Sequence, residues 1–501
     1  MSDTKIQEQD DEGLTPAESD ESSEEKKSSK KGKYDRSIIE GSLSRAVWKL
    51  AWPTMLTNLF GALQGMVDHA VVGRVVGYTG NAAIGVSWQI FLVVVVFVSS
   101  IFIGMNILVA RFAGAGDEEK VNRTVYQAFL TALFIAFGLI APIGYTAAPY
   151  LLNFVNAEPG VSLQALPYLR IMFLYSSGIM VFFMLSGALR SAGDAKTPMA
   201  LGIAMTLLNL GFNIILIGGF GPIPAFGTKG AAIGTCLAAG LVGIYSLWKL
   251  WGHGWVVSIR NIGSYAPDIE VIKNLFSFGL PAGIQGIAMN VGGVLMLAFV
   301  GSLADSAAAQ AAYAVSYNQL FTFVTITSIG LMGAAAAVAG QNLGAKQPER
   351  VTGAVHAAAG FAFLFSFILG CIYLLFPDAL LAIFDLKDPK AAELARSLLK
   401  VLAFSGLFVS VALAYTGGLQ GTGDTKSPLY ISIISQVFVP LGICSVFYFS
   451  NGLTAFEIWM AILAGHITRC VLSIVRFRQG KWHGIKVDIG PAPGESEAEP
   501  A

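Results

Sequence analysis

Asp68 stands alone as a carboxylate well inside an apolar stretch of this 501-residue chain. Counted from Ala46 at about 1.5 Å per helical residue, it lies roughly 33 Å along a helix. That is the outer half of a bilayer if the N-terminus is cytoplasmic. An ionised aspartate at such depth costs several kcal/mol, so it must pair, bind a cation or take up a proton. A carboxyl that exchanges an ion according to which side has access is what a proton- or sodium-driven exchanger needs. The plain alternative is a buried aspartate satisfied by neighbouring donors. His69 follows directly, but successive helical residues diverge by about 100°, so it need not share a partner with Asp68. Pro53 and Pro281 occupy matching places in two apolar stretches. Each removes a backbone hydrogen bond and permits a kink.

Other chemistry is poorly supplied. The five histidines never approach the HExxH spacing of a zinc peptidase. Cys236, Cys371, Cys444 and Cys470 lie far apart in apolar runs, as small buried side chains do, and make no CxxC pattern. Gly421-Thr422-Gly423-Asp424 spells the GxGD of intramembrane aspartyl proteases, but Asp424 falls in a loop without a facing aspartate. No enzyme is expected, and no resident metal or cofactor. Arg469, near the inner end of the last apolar stretch, is expected to snorkel to the cytoplasmic surface. Glu457 suits the start of that helix.

The elements that position these groups are legible from charge. Charged residues are 13% of the chain and hydrophobic ones 54%, about half the charge usual for soluble domains. Residues 1–40 hold 12 acids and 7 bases, and residues 481–501 hold 6 more charges. The body between them is nearly uncharged, and too apolar to cover a soluble surface. Twelve stretches are long enough to span, near 46–73, 82–110, 123–147, 163–189, 197–219, 229–251, 274–300, 308–339, 352–376, 394–418, 428–449 and 454–475. The expected fold is an all-α polytopic membrane protein. A net charge of zero without a basic stripe argues against nucleic-acid partners. The first apolar run lies behind a charged tail, so no cleavable signal peptide is expected. Basic residues favour loops on the side of the termini, which places both termini in the cytoplasm.

An internal repeat divides the body. Residues 187–198 read GALRSAGDAKTP and residues 417–428 read GGLQGTGDTKSP, with six identities at a shift of 230. The same shift aligns Gly114-Ala115 with Gly344-Ala345, and a shift of 228 aligns Pro53 with Pro281. Two six-helix lobes follow, 46–255 and 273–480, in one orientation and related by a pseudo-twofold along the membrane normal. A cytoplasmic linker, 256–272, joins them. Residues 1–45 are expected as a disordered charged cytoplasmic tail, and 481–501 as a second tail. In the repeated loop, Gly193 and Gly423 end a helix in the left-handed conformation. Thr197 and Ser427 are expected as N-caps, with Pro198 and Pro428 at the first helical position. Asp194 and Asp424 are expected to cap or pair with Lys196 and Lys426.

Trp52-Pro53, Asp68 with Gly73-Arg74, Val109-Ala110-Arg111 with Gly114, the loop from Leu189 to Pro198, and Gly230-Ala231-Ala232-x-Gly234-Thr235 together resemble the multidrug and toxic compound extrusion (MATE) family, over about 46–480. The resemblance implies two six-helix lobes and efflux of organic, often cationic, compounds against an H⁺ or Na⁺ gradient. The chain looks closest to the DinF-like branch, whose cation site lies in the N-terminal lobe. By position, Asp68, Asn213 and Thr235 match members of that site. A tyrosine of the fourth helix, Tyr175 or Tyr168, is implied as another, with Tyr175 taken into the expected set. Two features depart from the family. Ile217 stands where a second aspartate is common, and Met289 and Asn290 stand near the place of the helix 7 glutamate of the NorM-like branch. A lone carboxylate suits one proton better than Na⁺, which prefers several oxygens, so H⁺ coupling is expected, with Na⁺ at Asp68 the alternative.

The reading is a monomeric antiporter of the cytoplasmic membrane that exports small-molecule drugs or metabolites by alternating access. Proton arrival at Asp68 would bend the first helix and shrink the N-lobe cavity. The rival reading is a flippase for lipid-linked oligosaccharides, which would want a large cationic cavity.

Overall fold

The structure is a computed structural model. It describes residues 33–490 apart from 253, 261, 385, 387 and 451. The expected tail positions 1–32 and 491–501 lie outside the described residues. The N-terminal lobe comprises α1 (Leu43–Val75), α2 (Tyr78–Ala115), α3 (Glu118–Phe154), α4 (159–191), α5 (Lys196–Gly218) and α6 (Thr228–Trp251). The C-terminal lobe comprises α7 (Ile269–Gly301), α8 (Ser306–Gly344), α9 (Pro348–Leu375), α10 (Pro389–Gly421), α11 (Lys426–Ser450) and α12 (Ala455–Arg478). Ten of these are long and apolar enough to cross a membrane, and α4, bent by 52° between Leu174 and Ser177, makes an eleventh. The twelfth is α1, polar for a span because it carries Thr54, Thr57, Asn58, Gln64, Asp68 and His69. All twelve stretches read from hydropathy are present, each end within about two turns of its expected place.

α1 runs unbroken through Pro53, and α7 through Pro281. Thr54 and Thr57 donate to the carbonyls of Leu50 and Pro53, both at 2.8 Å, and so occupy acceptors around the proline. The repeated loops end α4 and α10 alike. Gly193 has φ 103° and Gly423 φ 96°. The amides of Asp194 and Asp424 reach back to the carbonyls of Leu189 and Leu419, which closes a Schellman turn. Here the expected caps are corrected. Asp194 and Asp424, not Thr197 and Ser427, accept from the first free amides of α5 and α11. The two hydroxyls donate to those carboxylates. Pro198 and Pro428 sit in the third helical position, where no intrahelical N–H bond is lost. Asp424 pairs with Arg476 (2.7 and 2.9 Å) instead of Lys426, which gives it a structural partner and no protease role.

The pseudo-twofold is visible in reciprocal contacts between lobes. A β-carbon on Gly114 would strike the carbonyl oxygen of Gln341, and one on Gly344 would strike that of Arg111. Shifting 111 and 114 by 230 gives 341 and 344. Asn58 reaches the carbonyl of Ile326 while Gly286 sits against Val96, again a symmetry-related pair. Gly330 on Met55 mirrors Gly283 on Ser100. These approaches run from the middle of α1, α2, α7 and α8 to the ends that adjoin the chain termini, so the lobes are closed on that side. α1 is shared between lobes there. Its Val47, Leu50 and Ala51 belong to one apolar cluster with Leu331, Val338 and Val355 of the C-lobe.

The terminal segments are not free where they are described. Residues 37–40 form a helical turn, and Ile38 sits on Gly193. Asn342 and Arg350 of the opposite lobe hold the carbonyls of Ile38 and Gly41 (3.3 and 2.7 Å). At the other end Ile485 sits on Gly423, and Lys120, the counterpart of Arg350 at a shift of 230, holds Asp488 at 2.8 Å. That bond keeps the Asp488 carboxyl below its usual range. The linker is equally fixed. Asp268 is buried, pairs with Arg123 and caps α7, and Ser258 donates its amide to Asn122. Where they are described, the termini and linker thus form two crossed straps and a buckle.

Because Gly114 admits no side chain, Gly114→Leu should destabilise the closed face by about 1–3 kcal/mol. In a cysteine-free background, Ser191→Cys, buried under Gln341, should then react with maleimide about fivefold faster or more. Unchanged labelling would show that the lobes do not depend on this contact.

Candidate functional site

Asp68 lies on the half of α1 beyond the inter-lobe contact, facing α5. Asn213 Nδ2 of α5 donates to its Oδ1 at 2.7 Å. Asn209 is one turn earlier on the same helix face, at the i, i+4 spacing that brings side chains together. It meets Thr235 Oγ1 of α6 at 3.0 Å. With its amide turned so that the oxygen faces Thr235, the Asn209 nitrogen lies 3.1 Å from Asp68 Oδ1. Thr235 is anchored to its own helix through Ala231 O at 3.0 Å. Gln64, one turn before Asp68, accepts from Thr206 of α5 at 3.1 Å. The site therefore joins three helices: α1 supplies the carboxylate, α5 two amides and α6 a hydroxyl.

The close approach of α5 and α6 depends on Gly234, since a β-carbon there would collide with Asn213 Oδ1. That oxygen is buried and accepts no hydrogen bond from the described residues. A buried acceptor left bare costs about 1–3 kcal/mol. The amide nitrogen of Asn213 faces Asp68 and its oxygen faces Gly234 of α6, so a turn of the amide would offer the bare oxygen to a carboxyl O–H or a small cation. Carboxylate, amide and hydroxyl oxygens are the donors a hard cation accepts, and the same set accommodates a proton. Among the described residues no group of three or more His, Cys, Asp or Glu gathers to hold a metal ion.

The structure brings Asp68, Asn213 and Thr235 together and separates Tyr175 from them. Tyr175 sits at the break in α4 and is 61% exposed. Tyr168, two turns earlier, is buried in the N-lobe core. His69 turns away to Asn81 of α2, to which its Nδ1 is hydrogen-bonded. Ile217 is fully buried, so an apolar side chain fills the place of the second family carboxylate. Asn209 and Gln64 read as interhelical glue in the sequence. Their spacing from Asn213 and Asp68, four residues in each case, was the signal that they share its face.

The comparisons with known proteins agree on one family. The MatE family model matches residues 53–215 and 281–444, one copy in each lobe. A probable multidrug resistance protein NorM of Thermotoga maritima is 29% identical over 437 residues, covering 87% of this chain and 92% of its own. A probable multidrug resistance protein, YoeA, of Bacillus subtilis is 24% identical over 86% of this chain and 92% of its own. Among solved structures, a MATE family multidrug resistance transporter in an outward-facing conformation superposes with a TM-score of 0.82 at 20% identity, covering 90% of this chain and 98% of its own. A MOP superfamily transporter from Pyrococcus furiosus superposes equally well, at 0.82 and 20% identity, over 91% and 99%. With both repeats matched over most of the membrane body, the chain belongs to the MatE family of membrane transporters.

Proposed function

We propose that the chain is a secondary active antiporter of the DinF-like kind, which exports small amphipathic or cationic organic compounds from the cytoplasm in exchange for H⁺. The observation that carries this reading is the Asp68 carboxylate, held by α5 on a helix whose other half is packed into the opposite lobe. The names of the relatives, multidrug resistance proteins, support the substrate class.

The coupling follows from hydrogen bonding. Ionised Asp68 accepts from Asn213, and from Asn209 in its turned orientation. A proton on the carboxyl converts one acceptor into a donor, so an amide that donated to it must turn or leave. The bare Asn213 oxygen is the acceptor toward which the new O–H would rearrange. α1 then shifts relative to α5, and Pro53, which lacks an N–H and lies within the shared stretch of α1, is where the helix yields. Because the first half of α1 is bedded against α8 and α9, that movement is felt at the lobe interface. Rocking of two like-oriented bundles about the closed face gives alternating access. With both termini cytoplasmic, the state described here is closed to the cytoplasm and awaits outward exchange. The single carboxylate, with Ile217 buried beside it, favours one proton over Na⁺.

In everted vesicles, Asp68→Asn should abolish ΔpH-driven uptake of a fluorescent cation such as ethidium. Full uptake by that variant overturns the mechanism. Imposing ΔpH and Na⁺ gradients separately on wild-type vesicles decides the ion, and uptake driven by Na⁺ alone overturns the H⁺ assignment. Tyr168→Phe should lower the ΔpH-driven rate several-fold, whereas Tyr175→Phe should stay within about twofold of wild type. The reverse order would return Tyr175 to the site.

A further inference from the structure

The C-terminal lobe contains a cavity that the ion-coupling reading does not use. Its volume is about 460 Å³, within the range that holds a drug-sized molecule. Its walls come from α7, α8, α10, α11 and α12, and Ile103 of α2 completes them, so the cavity reaches the boundary between the lobes. At its polar side lies Arg469. The sequence suggested that this arginine snorkels to the cytoplasmic surface, but it is 2% exposed and lines the cavity. Fourteen residues from the first residue of α12, it lies roughly 21 Å along the helix.

Among the described residues Arg469 has no counter-ion. Its Nε is buried without a hydrogen-bond partner, and no Asp or Glu lines the cavity. One turn earlier His466, stacked on Phe321 at 5.6 Å, leaves Nδ1 without a partner as well. Gln420 and Gln436 stand on the walls as further donors. Two wall segments, Ala314–Leu320 and Ile434–Phe438, are wound as π-helix. Such turns interrupt the regular side-chain register and gather at functional sites. Here they present Tyr317, Asn318 and Gln436 to the cavity. Around them the lining is apolar, with Met289, Met332 and Ile329.

A guanidinium buried in a membrane without a partner is costly unless something pairs with it. Five planar N–H donors suit a two-oxygen anion. We propose that this cavity is an anion subsite in which Arg469 takes the carboxylate of an amphipathic cargo, with amide donors beside it and the apolar wall receiving its rings. The transporter's cargo would then include zwitterionic and anionic organic acids as well as cations. This rests on the reading of the chain as a carrier of small organic compounds, but not on its coupling ion.

The test is equilibrium binding to the purified full-length protein in neutral detergent, with no gradient present, so a failure of ion coupling leaves it unaffected. The probes are ciprofloxacin, a zwitterion, and its methyl ester, a cation of nearly the same shape. Wild type should bind the acid at least tenfold tighter than the ester. Arg469→Gln should lose that preference while holding the ester within about twofold, and Arg469→Lys should keep part of it. Because the arginine has no counter-ion among the described residues, Arg469→Gln should unfold at the wild-type temperature or above it. A preference unchanged in Arg469→Gln overturns the proposal, as does a large drop in its melting temperature, which would mark a structural role. If the variant does not fold, the wild-type comparison of acid with ester decides alone, and equal affinities overturn the subsite. Added phosphatidylglycerol should not compete. If it displaces ciprofloxacin, the occupant is a lipid phosphate and the cargo assignment falls.

Discussion

The architecture depends on backbone-to-backbone closure of two like-oriented bundles at one face. Within a membrane, helices gain little from hiding apolar surface from one another, because lipid is as apolar as they are. Association instead depends on close packing of small residues. Gly114 and Gly344 let α2 and α8 approach until each Cα nearly meets the carbonyl of the other helix. The two contacts are copies of one another under the repeat. A two-fold contact made by one residue pair is made twice, so the sequence needs only one solution to close the face. The terminal segments reinforce it from below, each lying on its own lobe's glycine loop and being held by the opposite lobe.

Closure at that face fixes where movement can occur. α1 is divided by its packing: the part near the termini is bedded in the C-lobe, and the part carrying Asp68 is bonded to α5 and α6 of the N-lobe. A change in the bonding of one carboxylate is therefore a change in the strain across a helix that two lobes share. Pro53 lies within the shared part, with the Thr57 hydroxyl on its carbonyl. Local charge and global shape are linked without any long chain of intermediates, since one helix belongs to both halves.

Much of this was legible in the sequence, for identifiable reasons. Hydropathy and the repeat gave all twelve spans and the two lobes, because a helix crossing a bilayer must be apolar over a fixed length. α1 was harder, being polar where it carries function. Asp68, Asn213 and Thr235 were found from motif position, and the structure brings them within one hydrogen-bonded group. The motif left two tyrosines of α4 open, Tyr168 and Tyr175, and the break in α4 after Leu174 leaves the first buried and the second exposed. Of the two cap candidates in each repeated loop the aspartate prevails, because a carboxylate three residues upstream outcompetes a hydroxyl for free amides. The strap contacts were invisible for another reason: Lys120 with Asp488 and Arg350 with Gly41 join residues hundreds of positions apart, and nothing local signals them. Arg469 was read by depth alone, which cannot tell a side chain facing lipid from one facing a cavity.

The repeat preserves shape and breaks chemistry. Aligned through Pro53 and Pro281, Asp68 corresponds to Met296, and at a shift of 230 Asn209 and Asn213 correspond to Val439 and Ile443. α6 and α12 each have 24 residues. Counted from their first residues, Thr235 corresponds to Ile462, Arg469 to Val242 and His466 to Ala239, and these apolar counterparts are buried. Each lobe has therefore kept polar groups where the other has apolar side chains. The acid lies in one lobe and the base in the other, too far apart in the fold to neutralise one another. Had both charges stayed in one lobe they would pair, and a paired site neither needs an ion nor attracts an anion. Separation leaves each charge incomplete in the protein alone, and an incomplete charge inside a membrane is a demand for a ligand. Two such demands, on either side of the interface that rocks, are what a carrier needs if ion and cargo are to meet different lobes of one moving body.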